Sequence, residues 1–112
     1  MNNHKSEIII ENEIEYHSLK FNYIDKNDFK IIEKFIKNYK YVKIIHNNSC
    51  GLSGISYYKN NSIHNDFGPS IIKTSKNGEI KNEYYYLNGV ELNYEKWKNK
   101  FRNYKLLKLK NL

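Results

Sequence analysis

The chain has 112 residues, of which 39% are hydrophobic and 28% charged, with a formal net charge of +7. That length bounds it to a single domain, 1–112, with room for one modest core. A lone cysteine excludes an internal disulfide, and no apolar run is long enough to cross a bilayer as a helix.

Mean hydropathy is low, at -0.84. Eleven tyrosines and many isoleucines nevertheless supply apolar, strand-favouring surface, which argues against disorder. The basic balance suits an acidic partner. A composition rich in Lys, Asn, Ile and Tyr throughout would produce the same surplus. Glu7, Glu11, Glu13 and Glu15 break up any signal-type apolar segment near the start, so a cytoplasmic location is expected.

In chain order, Ile8–Ile10 and the alternating run Ile14, Tyr16, then Leu19, Phe21 predict two strands joined at Asn12–Glu13. The change of phase near His17–Ser18 suggests a bulge or second turn. Asp25 reads as a helix N-cap with Asp28 in the first turn. Phe29, Ile32, Phe35 and Ile36 then share one face of a helix over about 26–38. Tyr41–His46 is a strand, 47–54 a loop, and Ile55–Lys59 a strand turning at Asn60–Asn61.

Ser70–Thr74 and Glu79–Leu87 form a hairpin about Asn77-Gly78, and Asn88-Gly89 makes a further turn before Val90–Leu92. Asn-Gly suits a type I′ turn, so Gly78 and Gly89 are expected at positive φ. Asn93 caps a second helix over about 94–103, with Tyr94, Trp97 and Phe101 at helical spacing. A basic tail over about 104–112 follows. The fold class expected is α+β: an antiparallel sheet of hairpins with two short helices, which cover the same side of the sheet or its two ends.

The stretch H-x-D-x-G-P-x-I-I, then N-G, then Y-Y-x-L-N-G comprises His64, Asp66, Gly68, Pro69, Asn77, Gly78, Tyr85, Tyr86, Asn88 and Gly89. It resembles MORN-like hairpin repeats of small proteins from bacteriophages and large DNA viruses. In such repeats the acid usually adjoins the glycine, whereas Phe67 intervenes here, and Ser70 stands where alanine is usual. The resemblance covers about a third of the chain. It implies a structural or interaction surface and no common chemistry, with His64, Asp66, Gly68, Pro69, Gly78 and Gly89 as turn residues.

Candidate chemistry is sparse. His64 and Asp66 point the same way on an extended chain, as in a base–orienter pair or a ligand pair. A turn histidine beside an Asx-type acid is the plainer reading and the one adopted. His46 and Cys50 lack the further ligands a zinc site needs, so no metal or cofactor is expected. Gly51–Gly54 lacks the Lys-Ser/Thr of a phosphate loop. The tyrosines Tyr57, Tyr58, Tyr84, Tyr85 and Tyr86 sit in pairing strands. Exposed beside lysines, they would suit base stacking or a protein hot spot.

The function expected is therefore non-enzymatic. The leading expectation is a small viral interaction protein that binds and inhibits or redirects a host protein or ribonucleoprotein in the host cytoplasm. A counter-defence inhibitor such as an anti-CRISPR is its concrete form. The interaction residues expected are the five tyrosines with Lys98, Arg102, Lys105 and Lys108. The alternative is a nucleic-acid-binding accessory protein that uses the Lys-rich C-terminus and exposed tyrosines. The lysines there alternate around a helix, so only weak, salt-steep binding to naked nucleic acid is expected.

Overall fold

The computed structural model describes residues 4–47, 53–75 and 77–101. It shows an α+β fold built on an eight-stranded, mostly antiparallel sheet. The strands are β1 (His4–Glu11), β2 (Ile14–Phe21), β3 (Tyr41–His46), β4 (Ser53–Lys59), β5 (Ser62–Ile63), β6 (Ile71–Thr74), β7 (Ile80–Leu87) and β8 (Val90–Leu92). Helix α1 (Lys26–Asn38) links β2 to β3, and residues 94–101 form α2. The spatial order is β1-β2-β3-β4-β6-β7-β8, with β5 beside β4. One pair departs from the expected hairpins: β2 and β3 run parallel. A parallel pair needs a crossover, and α1 provides it.

Local chemistry sets the turns. Asn12 and Glu13 (φ 51° and 65°), Asn60 and Asn61 (49° and 67°), and Asn88 and Gly89 (50° and 80°) all sit at positive φ. Positive φ at both central residues is the signature of a type I′ turn, whose twist matches that of the strands it joins. Gly78 is also at positive φ, 85°, but its hairpin closes differently. The Ser75 N–H donates to Glu79 O, and the Gly78 N–H donates to Ser75 O. The loop between the closing residues therefore spans 76–78, the three residues expected to turn, and is not the two-residue type I′ turn expected from Asn77-Gly78.

Asp25 caps α1. Its carboxylate accepts the N–H groups of Asn27 and Asp28, both at 2.9 Å. The Asp28 carboxylate accepts the Asp25 N–H at 3.0 Å, which completes a capping box. The packed stripe differs from the expected one. Ile31, Ile32, Phe35 and Ile36 pack on Leu19, Phe21, Val42 and Ile44, whereas Phe29 is 62% exposed. Asp28 is buried near the inner face, and Phe29, about 100° further round, falls on the flank.

The expected bulge at His17–Ser18 is absent, since β1 and β2 pair without a break from His4↔Phe21 to Glu11↔Ile14. The phase change has another cause. Tyr16 and Ser18 are buried on one face of β2, and Leu19 and Phe21 on the other. Both faces are covered, so the apolar pattern changes phase while the backbone stays regular.

Register also places the helices. Leu19, Ile44, Ser56, Ile71 and Tyr84 form one row across the sheet on the α1 side. Tyr85 therefore faces the opposite side, and it packs on Trp97 of α2. The helices sit at the two ends of the sheet, one on each face. The expected end of α2 near 103, the tail over 104–112, and Arg102, Lys105, Lys108, Cys50 and Gly51 lie outside the described residues.

Candidate functional site

The repeat-like segment builds a bracket. His64 is buried, and its Nε2 lies 2.9 Å from Asp66 Oδ2. Its Nδ1 accepts the backbone N–H of Asn88 at 2.8 Å. An accepting Nδ1 carries no proton, so Nε2 carries it and donates to Asp66. That bond holds the Asp66 carboxyl below the usual carboxylate range, against the effect of burial, and Lys59 adds to it. Both ring nitrogens are engaged, which leaves neither free to act as a general base. The pair ties its loop to the Asn88–Gly89 turn.

Asn65 continues the bracket. Its Oδ1 accepts the Phe67 N–H at 2.9 Å, and its Nδ2 donates to Pro69 O at 3.1 Å. These bonds close the Gly68–Pro69 corner. The Asn65 carbonyl accepts the Trp97 Nε1–H at 3.0 Å, which ties α2 to the loop. Ser70 is fully buried; its hydroxyl donates to Tyr86 O at 2.9 Å and accepts the Tyr86 N–H at 3.0 Å. An alanine there would leave both Tyr86 groups without this partner.

The five candidate tyrosines do not form one surface. Tyr57 is buried, and its hydroxyl donates to Glu11 Oε2 at 2.9 Å. Tyr58 packs on the α1 core. Tyr85 stacks among Tyr94 and Trp97. A platform for bases needs an open ring face, which rules out Tyr57 and leaves Tyr84 and Tyr86 on the α1 side of the sheet. Tyr84 is half-buried, with Lys73 Nζ 5.6 Å from its ring centre. Lys98 is exposed beside Tyr94 on α2.

Sequence reading missed a network on the face opposite α1. Lys43 is buried and ion-paired with Glu11, and its ammonium lies over the Tyr57 ring. Tyr16 meets Tyr41 and Tyr57 edge to face at 5.7 and 5.4 Å. Burial pushes the hydroxyls of Tyr16 and Tyr57 far above their ordinary value, and for Tyr57 the bond to Glu11 adds to the shift. Both stay protonated, and Tyr57 serves as the donor to Glu11. Glu11 reaches this group only because β1 folds back along β2, so its spacing in the chain carries no signal.

A trough was missed for the opposite reason: small residues make it. Gly54 and Ser56 lie on the α1 side of β4, between Ile44 and His46 on β3 and Ile71 and Lys73 on β6. One helix covers about two strands. Beyond the edge of α1 these small residues therefore leave a trough of about 310 Å³, with Ile24 at its rim. A Cβ at Gly54 would lie 3.2 Å from Ile72 O, tighter than an ordinary van der Waals contact. Strand β4 thus starts at Ser53, two residues before the expected Ile55. His46 Nε2 is buried without a hydrogen-bond partner among the described residues. Lys73 also lines the trough, and no carboxylate among the described residues does.

Among the described residues no cluster of His, Cys, Asp or Glu could hold a metal ion, and no helix is long and apolar enough to cross a membrane. No family model, curated protein or solved structure matches this chain.

Proposed function

We propose that the chain is a non-enzymatic interaction protein that seats an acidic, partly apolar segment of a partner protein in the trough over Gly54 and Ser56. The observation that carries this reading is the lining: Ile24, Ile44 and Ile71 offer apolar walls, and among the described residues His46 and Lys73 are the only ionisable groups. At about 310 Å³ it suits the anchor side chains of a docked helix or strand better than a large cofactor. The partner's carboxylate would meet Lys73 and the unpartnered His46 nitrogen, and the net charge of +7 would speed the encounter.

The resemblance to viral hairpin repeats supports a counter-defence setting. There the partner is a host protein or ribonucleoprotein that is blocked or redirected, with an anti-CRISPR as the concrete form. One observation favours nucleic acid as the second reading: Tyr84 and Lys73 pair on the open part of the sheet.

The test is affinity capture from a host lysate, with and without nuclease. Wild type is compared with Lys73→Glu and with Ser56→Tyr, which fills the trough. A protein that survives nuclease, and is lost with both variants while their melting is unchanged, supports the trough reading. Capture that disappears on nuclease treatment moves the assignment to nucleic acid. Capture unaffected by either variant removes the trough from the mechanism.

A further inference from the structure

Among the described residues the outer edge of β1 is the longest open edge of the sheet. Among the described residues β1 pairs only with β2, and the opposite edge is β8, which spans three residues. Strand edges are usually blunted by proline, by a bulge, by shortness or by charged side chains. Of these β1 has only the charges of Lys5, Glu7 and Glu11: it is eight residues long, lacks proline and pairs with β2 in unbroken register. Its side chains at Ile8 and Ile10 are 57% and 73% exposed on one face.

We propose that β1 pairs antiparallel with β1 of a second copy of this chain, with Ile8 on the two-fold axis. In a closed antiparallel dimer the axis runs normal to the sheet, so opposed residues share a face and their numbers sum to an even value. A register centred on Glu7 sets Glu7 against itself. One centred on Ile9 sets Glu7 against Glu11. One centred on Ser6 ends at residue 8 and leaves Ile10 outside. Centred on Ile8, residues 5–11 of both copies pair, and Ile8 meets Ile8 while Ile10 meets Ser6. Lys5 then stands opposite Glu11 of the second copy at both ends. No like charges oppose each other, which is the arrangement cross-strand pairing favours.

The seam lies at the end of the sheet away from β6, so the dimer presents two open troughs. It does not depend on what the troughs bind.

The test is sedimentation equilibrium of the full chain from low micromolar to submillimolar concentration. Wild type is expected to show a monomer–dimer equilibrium. I8K and I8E are each expected to weaken it at least tenfold without changing the melting curve, because Ile8 is exposed in the monomer. An equimolar mixture of I8K and I8E is expected to recover a mixed dimer, since the two charges then meet on the axis. If I8K melts without cooperativity, Lys5→Glu takes its place, and it must weaken the dimer by setting an acid against Glu11. A wild type that stays monomeric throughout overturns the proposal, as does an I8K that dimerises like wild type. So does a mixture that remains monomeric when wild type does not.

Discussion

His64 Nδ1 accepts the backbone N–H of Asn88 across 24 residues of sequence, at 2.8 Å. The contact joins the His64–Ser70 loop to the Asn88–Gly89 turn, and Gly89 N–H donating to Ile63 O at 2.9 Å reinforces it. Replacing His64 with alanine leaves a buried N–H and the Asp66 carboxylate without partners. A loss of about 2–3 kcal/mol is expected. Urea unfolding of His64→Ala against wild type measures it; a change within about 0.5 kcal/mol would show that the bond does not brace the turn.

Asp66 predicts an acid limb in stability. Its carboxyl is held below the ordinary carboxylate value of about 3.9, so the folded state binds its proton less readily than the unfolded state. The contribution is complete above the unfolded value and is lost as pH falls through the folded one. Asp66→Asn lacks this contribution, so the stability gap between wild type and variant should be widest near neutrality and narrow below about pH 4. Denaturant midpoints measured between pH 7 and pH 3 report the gap. A gap that stays constant with pH would contradict the assignment.

Trp97 anchors α2 through two separable contributions. Its ring stacks on Phe101 at 5.3 Å and packs on Tyr85 at 4.9 Å, and its indole N–H bonds to Asn65 O. Trp97→Ala should cost about 3–5 kcal/mol. Trp97→Phe keeps an aromatic body but leaves the Asn65 carbonyl unbonded, so a smaller loss of about 1–2 kcal/mol is expected. Thermal melts of both variants give the ordering, and equal losses would assign the whole effect to the hydrogen bond.

The two Asn-Gly turns should both resist substitution, for one reason. Gly89 and Gly78 have φ of 80° and 85°, which a β-branched side chain adopts only with strain. At Gly78 the side chain itself would meet open space, whereas at Gly89 a Cβ would touch Ser62 at 3.7 Å. Valine at either should cost about 1 kcal/mol or more. Matching melting midpoints for wild type and both variants would mean that neither turn holds its backbone in that region.

Much of this protein follows from the chain read locally. Asp25 and Asn93 cap their helices because a side-chain oxygen needs only the next few backbone N–H groups. The Asn-Gly and Asn-Asn turns, the strands around them and the α+β class follow from local torsional preference and apolar period. The contact between His64 and Asp66 was also legible, because it spans two positions.

Tertiary structure decided what lies between elements. The parallel β2–β3 pair, the two helices on opposite faces and the exposure of Phe29 depend on how α1 lands on the sheet. The local pattern Phe29/Ile32/Phe35/Ile36 does not contain that information. The Glu11–Lys43–Tyr57 network joins three strands, and strand order, not spacing, brings its members together. The trough exists because Gly54 and Ser56 stand between larger residues on both neighbouring strands. In one dimension Gly54 reads as loop and Ser56 as an ordinary strand residue, and only pairing with β3 and β6 turns their missing volume into a surface.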